Sequence, residues 1–335
     1  MERAVTSIDF SKESIQPKAK IAHYERLLKQ DIDEFFGSQE LVHSVCPTSG
    51  DAEIAHSFTK LGMTFNQSKT LGNYYISPRP NIEALKKFYA NSQARHFWLT
   101  DIWESTKDQR EKTVIAPLFD WIEDRVGEFF KTNSLVAVEF LPNHFGYEDV
   151  ARRRLPNVVY KIFDPLIPAD LLAASQSSVA VEKKINKESY EVVFLFEAIE
   201  RSLDPREVFR NAIDGLKPGG LCFITCLLSS SFEVKILGQQ SDIFFPPERM
   251  NILSFEGMTH LVEKEERVEL IEFSTPSVFD IKNVREQMGD NDDFVSYMLG
   301  RRGDSEMIQS LLEFLQRNRL GTFGRLVLRK KPVRI

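Results

Sequence analysis

The chain has 335 residues, 42% of them hydrophobic and 27% charged, which suits a globular protein of one large domain or two modest ones. Its formal net charge of −6 excludes the basic surface with which general nucleic-acid binders neutralise phosphates. Cys46, Cys222 and Cys226 form no disulfide framework, MERAVTSIDFSKES has no apolar signal core and no apolar run reaches the length of a membrane span, so a soluble cytoplasmic protein is expected.

Residues 14–36 read as a helix, with charges interleaved among Ile21, Tyr24, Leu27 and Leu28. Between 40 and 80 the character changes: CPTSGD, LGMTF and LGNYYISPRP carry turn residues and short β-like runs. Asn81 then caps a helix whose apolar face holds Ile82, Leu85, Phe88 and Tyr89. A longer helical stretch from about His96 to Lys131 is bent or divided at Pro117.

From Leu135 onward, strands and helices alternate. LVAVEFL, NVVYKIFD, EVVFLF and GLCFITCLL are strand-length apolar runs; GYEDVARRRL and DPREVFRNAIDGL are helices between them. DLLAAS is a further element of unassigned type. The helix FEGMTHLVEKEE, the strand VELIEFS, the helix SEMIQSLLEFLQRN and the strand FGRLVLRKK complete the chain. Near-continuous apolar strands separated by helices predict an α/β fold with a mostly parallel sheet buried on both faces. The Arg and Lys of the last strand predict an antiparallel edge position. The division therefore falls near residue 132: an N-terminal helical and small-β region over 1–132, and a Rossmann-like domain over 133–335.

In an open parallel sheet, ligands sit beyond the carboxyl ends of the strands. Glu197 stands at such an end, and nothing local requires a carboxylate there. Asp204, ahead of Pro205, reads as a helix cap, and Gly215 with the KPGG turn as architecture. Asp164 ends the second strand and suits either a turn before Pro165 or a hydroxyl-binding carboxylate. Cys222 and Cys226, four apart in a strand, share a face and read as inert core.

The order of these pieces resembles class I S-adenosylmethionine-dependent methyltransferases. The segments LGNYYISPRPNIEALKKFYANS, ILGQQSDIFFPPERMNILSFEGMTHLV and TPSVFDIKNVREQM look like the flanks of one bacterial branch of that family, which occurs in gene sets for sugar and polysaccharide modification. The similarity spans roughly residues 40–330 and lies in the order and spacing of the segments.

The resemblance implies S-adenosylmethionine as cofactor and a small-molecule acceptor such as a nucleotide-linked sugar or polysaccharide precursor. It places Glu139, Asn143 and Gly146 around the cofactor's amino-acid end, Asp164 at its ribose, and Phe196 and Glu197 between cofactor and acceptor. Glu197 and Glu200 are the candidate bases. The chain also departs from the family. In VAVEFLPNHFGYEDV, Leu141, Asn143 and Phe145 stand where glycines let the backbone approach the ligand. Arg201 and Arg249 replace expected histidines and suit a bidentate phosphate or carboxylate of the substrate. Of the paired cysteines of a zinc ribbon within about 40–80, Cys46 alone remains; with His43 and His56 it makes too few ligands, so no metal is expected, and Phe58, Met63, Phe65 and Tyr75 are expected to hold that segment. These departures motivate an alternative: a catalytically inactive methyltransferase-like protein that binds or scaffolds a protein partner or forms a homo-oligomer.

Overall fold

A computed structural model describes residues 12–37, 40–131, 134–143, 146–155, 157–166, 179–276, 284 and 305–332. Seven strands make the main sheet: β1 (Leu135–Phe140), β2 (Val158–Phe163), β3 (Ala180–Glu182), β4 (Tyr190–Phe196), β5 (Leu216–Leu227), β6 (Val268–Ser274) and β7 (Phe323–Lys330). Their spatial order is β6-β7-β5-β4-β1-β2-β3. The pairs β5–β4, β4–β1, β1–β2 and β2–β3 are parallel, and β7 runs antiparallel to both β5 and β6. This is the expected Rossmann-like methyltransferase sheet, with two corrections of detail. The antiparallel strand β7 lies one place in from the edge, because β6 covers it. The short strand β3 carries no sequence signal strong enough to announce it, and DLLAAS lies outside the described residues.

Alternation along the strands produces two buried faces. Val138, Phe140, Val193, Leu195, Cys222, Ile224 and Cys226 pack with residues of the helices Pro205–Gly215 and Phe255–Glu263. Leu135, Ala137, Val192, Phe194, Phe196 and Phe223 pack with residues of the helices Ala116–Phe129 and Tyr147–Arg154. Pro117 sits in the first turn of Ala116–Phe129, where its missing N–H is tolerated, and the backbone just before it forms a wide π-type turn over Glu111–Ile115. Asp204 caps Pro205–Gly215 as expected, its Oδ1 accepting the N–H groups of Arg206 and Glu207. The two strand cysteines do share a face, and burial pushes both thiols up.

A second, four-stranded sheet joins Ile54–Lys60, Met63–Ser68 and Tyr74–Ile76 to Asn251–Ile252. Packing therefore crosses residue 132 in both directions: Ala116–Phe129 buries against the main sheet, and residues beyond 250 complete the small one. Phe58, Phe65, Tyr74 and Phe244 meet ring to ring at 4.9–5.7 Å and fill this region. Cys46 is buried there, with Asn73 Nδ2 3.6 Å and Thr48 Oγ1 3.4 Å from its sulfur. Among the described residues no group of three metal-ligating side chains converges. Ile82, read as part of its helix's apolar face, is exposed; Ala84 takes its place on the buried side.

Candidate functional site

Glu139, near the carboxyl end of β1, shares the face of Leu135 and Ala137 and is buried. Tyr160 donates its hydroxyl to Glu139 Oε2 at 2.8 Å, while Oε1 has no hydrogen-bond partner among the described residues. Burial pushes the Glu139 carboxyl up to about 8, against the opposing pull of the Tyr160 hydrogen bond and of Arg201.

Beyond Phe140 the chain turns through Leu141, whose φ of 49° is left-handed. Its N–H donates to the Phe163 carbonyl at 2.9 Å, and its carbonyl accepts from Arg201 Nη2. The side chain is 7% exposed and belongs to the core on the Phe140 side of the sheet. Where the resemblance calls for a glycine, a leucine is folded into the interior. Asn143 is half-buried, and Gly146 opens the helix Tyr147–Arg154. A Cβ on Gly146 would stand 3.1 Å from Trp103 Cζ2, so close aromatic packing already accounts for the glycine. Phe145 lies outside the described residues.

Asp164 follows β2 and is buried. Its Oδ1 accepts the Leu166 N–H at 2.7 Å and its carbonyl accepts from Lys183 Nζ at 3.0 Å. Glu197 follows β4 with a left-handed φ of 49°. Its N–H donates to the Thr225 carbonyl at 2.9 Å, which holds the turn against β5 and leaves the side chain half-buried. Arg249 Nη2 is 3.2 Å from Glu197 Oε2, and Arg249 Nη1 donates to the Asp242 carbonyl at 3.0 Å.

Glu200 is buried one turn further on. Its Oε1 accepts the Leu227 N–H at 2.5 Å, its carbonyl accepts the Met250 N–H at 2.7 Å, and Oε2 has no hydrogen-bond partner among the described residues. Burial, with the adjacent charge of Glu197, raises its carboxyl to about 8. Glu200 thus ties the end of β5 to the segment that completes the small sheet. Arg201 is buried and braces the ends of β1 and β4 through the carbonyls of Leu141 and Phe196. Phe196, expected between cofactor and acceptor, stacks its ring on Phe194 at 5.0 Å and meets Tyr147 edge-on at 4.9 Å inside the core.

Residues 116–265, which span β1 to β5 and these carboxylates, match a family described as "Methyltransferase domain". Over that stretch the chain is similar to the methyltransferase family. No curated protein matches it in sequence. Among solved structures, it is similar to an S-adenosylmethionine dependent methyltransferase from Mesorhizobium loti (12% identity, 63% of this chain and 98% of that one, TM-score 0.39). It is also similar to the plantazolicin methyltransferase BpumL in complex with SAH (12%, 74% and 98%, 0.41) and to coclaurine N-methyltransferase bound to N-methylheliamine and SAH (11%, 66% and 73%, 0.36). At these scores the fold rests on the strand order and not on the neighbours.

The N-terminal segments bring to the carboxyl ends of the main sheet side chains that the sequence did not single out for chemistry. Tyr89, Arg95, Leu141, Pro142, Asp164, Leu166 and Arg201 enclose a cavity of about 20 Å³, the room one water occupies. Arg110 lies between the rings of Trp98 and Trp103, 5.4 and 5.3 Å from their centroids, and burial lowers its guanidinium to about 10. Glu248 Oε2 is buried without a hydrogen-bond partner among the described residues. Tyr89 was legible only as an apolar-face residue, and no periodicity marks Arg95, because both acquire their setting from β1 and β2, more than forty positions away. A wider concavity of about 410 Å³ is lined by Glu25, Thr59, Lys60, Gln239, Gln240 and Asp242, whose carbonyl accepts from Arg249.

Among the described residues no helix is long and apolar enough to cross a membrane.

Proposed function

We propose that the protein is an S-adenosylmethionine-dependent methyltransferase acting on a small molecule, with a nucleotide-linked sugar or polysaccharide precursor as the acceptor class. The observation that carries this reading is the pair of buried carboxylates at the ends of adjacent parallel strands, Glu139 after β1 and Asp164 after β2, within a segment that matches the methyltransferase family. The unpaired Oε1 of Glu139 suits an ammonium or hydroxyl of a ligand, and Asp164 suits ribose hydroxyls. Asn143 and Gly146 would flank the cofactor's amino-acid end. The cofactor supplies the reactive methyl group; the chain binds and orients both reactants. Glu197, half-buried and paired with Arg249, is the carboxylate best placed to meet an acceptor at the end of β4, whereas Glu200 is engaged with the backbone of Leu227.

The fit is incomplete at one point. The buried side chain of Leu141 occupies the position where the cofactor's approach requires a bare backbone, and the cavity beside Asp164 is far below the roughly 300 Å³ or more of ligand pockets. Binding by this reading therefore requires the turn at Leu141 to move. The same observation supports a second reading, a methyltransferase-like protein without the cofactor that binds or scaffolds a partner. Calorimetry of the full chain with S-adenosylhomocysteine separates them. Saturable binding in the micromolar range is expected for the enzyme, and absence of heat at millimolar ligand would leave the second reading standing.

A further inference from the structure

The concavity of about 410 Å³ shares no lining residue with the cavity beside Asp164. Glu25 comes to it from the helix Lys18–Phe35, Thr59 and Lys60 from the end of the strand Ile54–Lys60, and Gln239 and Gln240 from the turn Gly238–Gln240, with Asp242 just beyond. Its walls are fixed from behind. Gly238 takes a left-handed φ of 54°, and the Ser241 N–H donates to its carbonyl at 3.1 Å. The Ser241 hydroxyl donates to Glu233 Oε1 at 3.2 Å, and the Ser241 carbonyl accepts from Lys60 Nζ at 3.0 Å. Lys12 Nζ holds Asp242 Oδ2 at 2.5 Å. Glu25 and Lys60 bring opposite charges to this one space, yet no ion pair joins them among the described residues. Burial raises the Glu25 carboxyl and lowers the Lys60 ammonium, so each charge is short of solvation. Every lining residue is polar and none is aromatic.

We propose that this concavity binds an uncharged polyhydroxylated ligand, a saccharide, with Glu25 accepting hydrogen bonds from its hydroxyls and Lys60, Gln239 and Gln240 donating to them. An anion would meet the carboxylates of Glu25 and Asp242, and a cation would meet Lys60, so a net charge of either sign is opposed. Each glutamine amide both donates and accepts, and so does each hydroxyl, which makes a row of hydroxyls the complement of this lining. The volume lies within the roughly 300–1,000 Å³ of small-molecule sites. Arg249 connects the concavity to the end of β4: Nη1 donates to the Asp242 carbonyl at 3.0 Å and Nη2 lies 3.2 Å from Glu197 Oε2, so one guanidinium sets both the wall and the carboxylate. The site needs no cofactor, and the proposal does not rest on methyl transfer.

The test is saturation-transfer NMR on the full chain with glucose, galactose, maltose and lactose, each titrated singly, and with glycine as a zwitterionic control. Saturable transfer to at least one saccharide, and none to glycine, is expected. Glu25→Gln keeps the shape and replaces a charged acceptor by an amide, and it should weaken the apparent affinity about fivefold. Gln240→Ala should weaken it about threefold, through the loss of one neutral hydrogen bond. If Glu25→Gln does not fold, Gln239→Ala and Gln240→Ala, both at exposed positions, decide the matter. The proposal is overturned if no saccharide binds saturably, or if glycine binds and the saccharides do not, which marks a site for a zwitterion. It is equally overturned if the variants titrate as the wild type, which places the sugar elsewhere on the protein. Calorimetry with S-adenosylhomocysteine on the same protein reports separately on the methyltransferase reading.

Discussion

Glu197 Oε2 and Arg249 Nη2 meet at 3.2 Å and join the turn after β4 to the segment just before Asn251–Ile252, the strand that closes the small sheet. Both side chains are partly exposed, 32% and 24%, so solvent screens the pair and it contributes little to stability. Its value is positional: it holds a half-buried carboxylate in place at this end of the sheet.

Arg249→Ala is therefore expected to change stability by under ~1 kcal/mol and to lower methyl transfer by about tenfold or more. Denaturant midpoints and turnover measured on the same preparation check both halves. A variant whose activity falls only in proportion to its folded fraction would remove the positional role.

Leu141→Gly addresses the turn where a leucine stands in place of the glycine that the resemblance calls for. Glycine adopts a left-handed φ without strain, while the buried leucine contributes roughly 1.5–3 kcal/mol through its burial. A net loss of ~1–2 kcal/mol is expected in urea unfolding. S-adenosylhomocysteine should bind at least about fivefold more tightly, because the side chain no longer occupies the backbone approach. Unchanged affinity would show that Leu141 is not what stands in the way.

Glu139 and Glu200 make stability fall as pH rises. Each carboxyl is raised by burial from its ordinary value of 4.5 to about 8, so the folded state holds protons that the unfolded state releases. Their contribution is fully present below about pH 4.5 and lost as pH climbs through 8. Glu139→Gln mimics the protonated form and should flatten this slope, standing ~1–3 kcal/mol above wild type near pH 8 relative to the difference near pH 5. Parallel pH profiles for the two proteins would show that Glu139 does not retain its proton.

Gly257→Ala should be among the most damaging single-methyl additions. A Cβ there would lie 1.8 Å from Asn73 Oδ1, the atom that accepts the Ser254 N–H at 2.8 Å. Asn73 also donates to Thr48 Oγ1 at 2.7 Å, so its displacement loosens the small sheet from the helix Phe255–Glu263. A loss of ~2–4 kcal/mol is expected, partly relieved when Asn73→Ala is added, which a double-mutant cycle measures.

What the sequence alone determined was local and periodic. Continuous apolar runs announced β1, β2, β4 and β5, Asp204 and Asn81 announced their helix caps, and the even spacing of Cys222 and Cys226 gave their shared face, because each depends on neighbours within a few residues. The carboxylates at the strand ends were legible for the same reason: the end of a strand is a place along the chain. What only the tertiary structure decided is what each side chain meets. Arg201 turned inward to two carbonyls, Phe196 into an aromatic core, and Leu141 into the space a glycine would have left open. Tyr89 and Arg95 reached Asp164 from another part of the chain. Burial, unmet hydrogen bonds and raised carboxyl groups arise from segments distant in sequence packing into one low-dielectric interior, and no spacing along the chain encodes them.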